Sequence, residues 1–151
     1  MSTRVVDGLN YEMRRLGKEE ILSRMLELEK FCAPAFQKAH GEIQAIDALI
    51  LAMEGRCWVF VGEINSRINV TVICETVQYP RLRVLNILAY AGRTQGFQWF
   101  HEELVHWATN EGYDEIRGYG TEATMRLARK NYGWEEIYRV YAIKLNVRGL
   151  S

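Results

Sequence analysis

At 151 residues, nearly half of them hydrophobic and a quarter charged, the chain reads as one globular domain, residues 1–151, not a disordered or low-complexity segment. Nineteen basic residues cancel nineteen acidic ones, so no sequence-specific nucleic-acid role is expected, and the longest apolar run, Ala48 to Met53, is too short to cross a membrane. Three widely spaced cysteines with no CxxC read as buried thiols in a reducing compartment, so a cytoplasmic protein without a disulfide frame or a metal site is expected.

In chain order, Thr3 to Asp7 is a short strand ending at the turn signal Asp7-Gly8. From Gly17 the pattern changes to a helix, with Ile21, Leu22, Met25, Leu28 and Phe31 at three- and four-residue spacing. Cys32-Ala33-Pro34 is expected to close it, because the residue before a proline is pushed out of helical geometry. A second helix spans Glu42 to Met53, with Ile43, Ile46, Leu49, Ile50 and Met53 as its apolar stripe and Gly55 as its stop. Cys57 to Glu63 is a strand rich in β-branched and aromatic residues, and Asn65-Ser66 connects it to the next run as a hairpin. From Arg67 to Val77 apolar and polar residues alternate through Ile68, Val70, Val72 and Cys74, the two-residue period of a strand. A Tyr79-Pro80 turn leads into a third strand, Leu82 to Tyr90, and the short connections imply an antiparallel meander.

Phe97 to Asn110 is an amphipathic helix with Phe97, Phe100, Leu104 and Trp107 on its apolar face and Gly112 beyond its end. Asp114 to Tyr119 is a weaker strand, Thr121 caps a helix running to Lys130, and Ile137 to Leu145 is a final strand after the Tyr132-Gly133-Trp134 break. His101 and His106 are five apart, on different faces of one helix, and His40 stands alone, so no histidine pair for a metal is expected. The four tryptophans read as packing residues.

Arg93-Thr94-Gln95-Gly96 joins a strand to the start of a helix, where unpaired amides converge and a phosphate can be held. The bland reading of the same residues is a plain strand-to-helix turn. Together with the order of elements, Arg93-Thr94-Gln95-Gly96-Phe97-Gln98 resembles the pyrophosphate loop, (Arg or Gln)-x-x-Gly-x-(Gly or Ala), of the Gcn5-related N-acetyltransferases, and Tyr132-Gly133-Trp134 resembles their Gly-Phe element. The segment Glu75 to Leu85, with Glu75, Tyr79-Pro80-Arg81 and Arg83-Val84, is similar to a bacteriophage-encoded branch. That branch includes acetyltransferases and a podovirus internal core protein.

The resemblance implies an α/β fold with a mixed, mainly antiparallel sheet flanked by helices, and acetyl-coenzyme A as the cofactor. It implies that Leu88, Ala89 and Tyr90 of the third meander strand bind the cofactor together with Arg93, Thr94, Gln95, Gly96, Phe97 and Gln98. Gln98 and Arg129 depart from the pattern: the family has Gly or Ala at the first position and often a tyrosine at the second.

Glu75 is the candidate base, a carboxylate able to relay a proton through water; equally, it reads as a surface carboxylate paired with Arg81 or Arg83. Tyr132 is the candidate acid for the leaving thiolate, with packing as its alternative. Two functions follow. One is an acetyl-coenzyme A-dependent N-acetyltransferase, or a coenzyme A-binding relative, of phage origin with an unidentified amine acceptor. The other is a non-enzymatic phage virion, internal core or assembly protein that keeps the fold with an eroded cofactor site and binds phage or host proteins.

Overall fold

The computed structural model describes residues 2–37, 39 and 41–145. The chain divides into two compact units, Met1–Tyr119 and Gly120–Ser151. The first is built on one sheet: β1 (Ser2–Val6), β2 (Leu9–Arg15), β3 (Trp58–Ile64), β4 (Arg67–Gln78), β5 (Arg83–Gly92) and β6 (Glu115–Gly118). Their spatial order is the order of the chain, antiparallel throughout except for the parallel pair β5–β6.

The hairpins close where the sequence supplies residues that accept positive φ. Asp7 and Gly8 (φ 51° and 78°) join β1 to β2, and Asn65 and Ser66 (φ 49° and 64°) join β3 to β4. Positive φ at both central residues gives a turn whose twist matches the strands it links. Strand β2 is absent from the sequence expectation. Its Leu9-Asn10-Tyr11-Glu12-Met13-Arg14-Arg15 run has polar and charged residues at every second place and nothing β-branched. Burial of Tyr11 and Met13 on one face decides its conformation.

Helices α1 (Lys18–Ser23), α2 (Met25–Phe36) and α3 (Ala45–Met53) pack one face of the sheet. Leu28, Cys32, Leu49 and Ala52 meet Val59, Val61, Ile73 and Ala89 in that core. Four details differ from the sequence expectation. The first helix is broken at Arg24 (φ −111°, ψ 17°), and α2 runs through Pro34 to Phe36. The buried Cys32 and Phe36 hold that last turn despite the missing donor of Pro34. Helix α3 starts at Ala45 behind a capping box of Gln44 and Asp47, and buries Ala45, Ala48, Leu49 and Ala52. Ile50, expected in the stripe, is exposed, because the face turned to the core runs through those four residues.

Helix α4 (Phe97–Asn110) covers the opposite face with Phe100, Leu104 and Ala108. The ring of Trp107 meets Phe60 edge-on at 4.7 Å between centroids, and Phe100 stacks on Tyr11. A Cβ on Gly62 would come within 2.6 Å of the Phe100 ring, so only glycine lets α4 approach β3 there. With helices on both sides, β4 is buried on both faces from Asn69 to Cys74.

In the second unit, α5 (Glu122–Tyr132) is capped by Thr121, whose hydroxyl accepts from the Thr124 amide at 3.3 Å, and stops at Gly133 (φ 73°). Ile137 to Leu145, expected as a final strand, form no strand within this unit. Strand propensity needs a neighbouring strand to be realised, and among its own described residues the second unit has none. His40 lies outside the described residues.

Candidate functional site

The strand-to-helix connection is held from below. In β4 the pairing with β3 shifts between Gly62 and Glu63, where Val70 faces Gly62 and Ile68 faces Glu63, so that Asn69 is the extra residue of a bulge. A bulge turns its residue out of the ladder. Asn69, 5% exposed, uses the freedom to donate its side-chain Nδ2 to the Gln95 carbonyl at 2.6 Å. Its own carbonyl accepts the Arg93 amide at 2.9 Å. Gly92 makes this approach possible: a Cβ there would stand 2.5 Å from the Asn69 carbonyl oxygen.

Above this anchor the chain turns. The Phe97 amide donates to the Thr94 carbonyl at 3.1 Å, and Gly96 (φ 70°) forms the N-cap of α4 in the left-handed region. A Cβ on Gly96 would meet the Tyr11 ring at 2.8 Å, so both conformation and space call for glycine. Arg93, Thr94, Gln95 and Gln98 are exposed, while Gly96 and Phe97 are half-buried. Among the described residues, the amides of Thr94, Gln95 and Gly96 donate to no carbonyl. Three free donors, a guanidinium and a helix N-terminus therefore share one exposed turn, the arrangement that suits an anionic phosphate.

Gln98 does not cross this turn. Its side-chain Nε2 donates to Glu102 Oε1 at 3.2 Å, one helical turn along α4. Phe97 lies against Tyr90 with centroids 4.9 Å apart, and His101 stacks on Phe97. Burial pushes the His101 imidazole below its ordinary value, against a smaller upward pull from Glu102.

A second bulge lies in β5. Ile73 faces Ala89 and Cys74 faces Ile87, which leaves Leu88 without a partner across the pair. Leu88 packs against the core of the α1–α3 face, and Ala89 turns its methyl into that core. Tyr90 faces α4 by way of Phe97. The expected cofactor residues thus include side chains committed to packing as well as the exposed turn.

Glu75 lies beyond the β5 bulge in the register, paired with Asn86, and Asn86 Nδ2 donates to Glu75 Oε1 at 3.2 Å. The alternative partners for this carboxylate, Arg81 and Arg83, are not the ones it takes. Arg83 instead lies 4.2 Å over the Tyr113 ring, donates to the Glu111 carbonyl and gives its amide to Asp114 Oδ2. Glu75 shares a face with Ile73, the face of α1–α3, and is half-buried. Tyr132, in the second unit, is the half-buried last residue of α5. Arg129, on the same helix, pairs with Glu122 at 2.9 Å.

Two residues that the sequence did not single out shape this part of the molecule. Asn69 is one. The other is Glu63, 6% exposed, which takes Arg14 at 3.1 Å and Arg24 at 3.7 Å and so ties the α1–α2 corner to the sheet. Neither has a local pattern. The cysteines are buried and free. Burial raises Cys32 to about 12 and Cys57 to about 11, and pushes Cys74 higher still.

No family model matches the sequence, and no curated protein matches it. Solved structures do resemble it. An aminoglycoside acetyltransferase, meta-AAC0020, from an uncultured soil metagenomic sample, in complex with sisomicin, is 16% identical with a TM-score of 0.66, over 89% of this chain and 96% of its own. The aminoglycoside N-acetyltransferase AAC(6′)-Iy, in complex with coenzyme A, is 15% identical with a TM-score of 0.67, over 94% and 99%. The ribosomal-protein-alanine N-acetyltransferase of Brucella melitensis biovar Abortus is 14% identical with a TM-score of 0.65, over 89% and 99%. The chain has the fold of the Gcn5-related N-acetyltransferases, a mixed α/β architecture with a mostly antiparallel sheet flanked by helices.

Proposed function

We propose that the protein is an acetyl-coenzyme A-dependent N-acetyltransferase acting on a small amine or a protein amino group. The observation that carries this reading is the turn from Arg93 to Gly96, fixed by Asn69 and exposed with three undirected amides at the N-terminus of α4. Two neighbours of the same fold have coenzyme A or acetyl-coenzyme A bound, which supports the same class of ligand here.

The chain's own groups divide the work. Thr94, Gln95 and Gly96 amides donate to the pyrophosphate, and Arg93 adds a positive charge. Gly96 keeps the backbone accessible where any side chain would collide with Tyr11. Acetyl-coenzyme A supplies an activated acetyl carbonyl: the amine nitrogen forms the new C–N bond as the C–S bond breaks. The Leu88 bulge frees main-chain groups at the middle of β5 for that carbonyl. Glu75, one oxygen held by Asn86, takes the amine proton through water, and the sulfur leaves as the coenzyme A thiolate, which takes its proton from solvent.

The direct test is turnover with a panel of amines while coenzyme A binding is followed separately. Glu75→Gln is expected to lower the rate with little change in coenzyme A affinity. Equal rates in the two proteins remove Glu75 from the mechanism.

A second reading, a phage virion or assembly protein with the fold retained, is favoured by one feature. Arg129 stands where the family often has its tyrosine, and it is engaged with Glu122. In that reading the cofactor site is eroded, so no heat and no melting shift with millimolar coenzyme A supports it.

A further inference from the structure

The turn from Arg93 to Gly96 has a second guanidinium beside it. Arg67 opens β4, and the register fixes its face. Tyr11 stands opposite Ile64 across β2 and β3, and Ile64 stands opposite Arg67 across β3 and β4. Residues directly opposed in an antiparallel ladder carry their side chains on the same face. Tyr11 stacks on Phe100 of α4, so Arg67 belongs to the α4 face as well. The same Tyr11 ring is what a Cβ on Gly96 would meet at 2.8 Å. On the other flank Asn69, two residues along β4 from Arg67, takes the Arg93 amide and donates to the Gln95 carbonyl. Two residues of extended chain span about 7 Å, a distance that an arginine side chain is long enough to cover. The turn is therefore seated between Tyr11 and Asn69, on the row that Arg67 ends, and all of these residues lie in the first unit.

Arg67 is also uncommitted. Arg14, Arg24 and Arg56 hold carboxylates, and Arg83 is taken by Tyr113 and the Glu111 carbonyl. Among the described residues, Arg67 and Arg93 have no carboxylate or carbonyl against their guanidinium groups. Uncommitted cations beside free amides raise the local positive potential, which favours an anion of more than one charge.

We infer that Arg67 binds the 3′-phosphate of coenzyme A, and that the protein for this reason selects coenzyme A over its 3′-dephospho form. The assignment rests on the reading of the turn as a coenzyme A site. In that reading the acetyl carbonyl lies at the Leu88 bulge, which the register sets opposite Ile73 and Cys74. Along β4 the order is then Cys74 at the reacting end, Asn69 under the turn, and Arg67 beyond the turn. Coenzyme A has the same order: thiol, pyrophosphate, then adenosine with its 3′-phosphate. The three amides and Arg93 serve the pyrophosphate. The 3′-phosphate is the remaining anion of the cofactor, a monoester with a charge of about −2 at neutral pH. Arg67 is the free cation on the side where that group falls.

Calorimetric titration of the wild type and of Arg67→Gln, each with coenzyme A and with 3′-dephospho-coenzyme A, tests this without any turnover. The wild type is expected to bind the dephospho form about ten-fold more weakly, the effect of one charge-assisted contact. Arg67→Gln is expected to bind coenzyme A about ten-fold more weakly and the dephospho form unchanged, so that the preference disappears. Its melting temperature without ligand is expected to match the wild type, because Arg67 holds no partner in the fold. Equal affinity of the wild type for the two compounds overturns the inference and leaves the coenzyme A reading standing. So does an Arg67→Gln protein that keeps the preference, or one that weakens both compounds alike, since Arg67 then serves the pyrophosphate or the fold. Binding of neither compound by the wild type overturns the coenzyme A reading, and this inference with it.

Discussion

Asn69 and Gln95, 26 residues apart, are joined by a 2.6 Å hydrogen bond from a buried side-chain amide to a turn carbonyl. This bond, with the Arg93 amide on the Asn69 carbonyl, fixes the height of the turn above the sheet. Asn69→Asp removes the donor and sets a carboxylate against a carbonyl oxygen. The expected cost is about 1–3 kcal/mol of stability. Coenzyme A affinity is expected to fall as well. Urea unfolding and calorimetry on the same variant measure the two; a variant with wild-type affinity shows that the bond is structural only.

Gly96 combines a left-handed φ of 70° with a Tyr11 ring 2.8 Å from the site of a Cβ. Gly96→Ala is expected to cost about 1–3 kcal/mol from backbone strain and the displaced ring. The double variant with Tyr11→Ala relieves the contact but not the φ, so the penalty of Gly96→Ala is expected to be smaller in that background. Equal penalties in the two backgrounds contradict the packing half of this account.

All three thiols are raised by burial, Cys32 to about 12 and Cys57 to about 11. The thiolate is the reactive species, so the folded protein is expected to react slowly with a disulfide reagent at neutral pH. In denaturant all three groups are expected to react at once. Rapid release of one equivalent from the folded protein contradicts the burial described for these residues.

His101 is held below its ordinary value by burial beside Phe97, with Glu102 opposing weakly. Because the folded imidazole resists protonation, the unfolded chain binds more protons between the lowered folded value and about 6.5. Stability is therefore expected to fall as pH drops through that window. The melting temperature of His101→Gln is expected to fall less between pH 7.5 and 5.5, a range read in scans set about the ordinary histidine value of ~6.5. An identical fall in both proteins places the sensitivity on other groups.

What the sequence made legible was local chemistry. Asp7-Gly8 and Asn65-Ser66 turn where expected because Asp, Gly and Asn themselves tolerate positive φ. The strand–turn–helix around Arg93 was legible for the same reason, since glycine, arginine and the apolar stripe of α4 lie within one short stretch. Asn69 was not. Its role depends on a bulge opposite Gly62 and on a carbonyl 26 residues away, and nothing in Ile68-Asn69-Val70 announces either. Pro34 misled because its local effect on Ala33 is real but smaller than the burial of Cys32 and Phe36 on either side. Ile137–Leu145 carries the propensity of a strand, and among its own described residues the second unit has no strand to pair with it.

The central claim is that the Arg93–Gly96 turn holds the pyrophosphate of coenzyme A. Calorimetric titration of the protein with coenzyme A tests it most directly, alongside Arg93→Glu. The account predicts saturable heat at one site per chain, a matching rise in melting temperature that follows RT ln(1 + [L]/Kd), and a loss of at least ten-fold in affinity for Arg93→Glu. No heat and no shift at millimolar coenzyme A, or equal binding by Arg93→Glu, contradicts it.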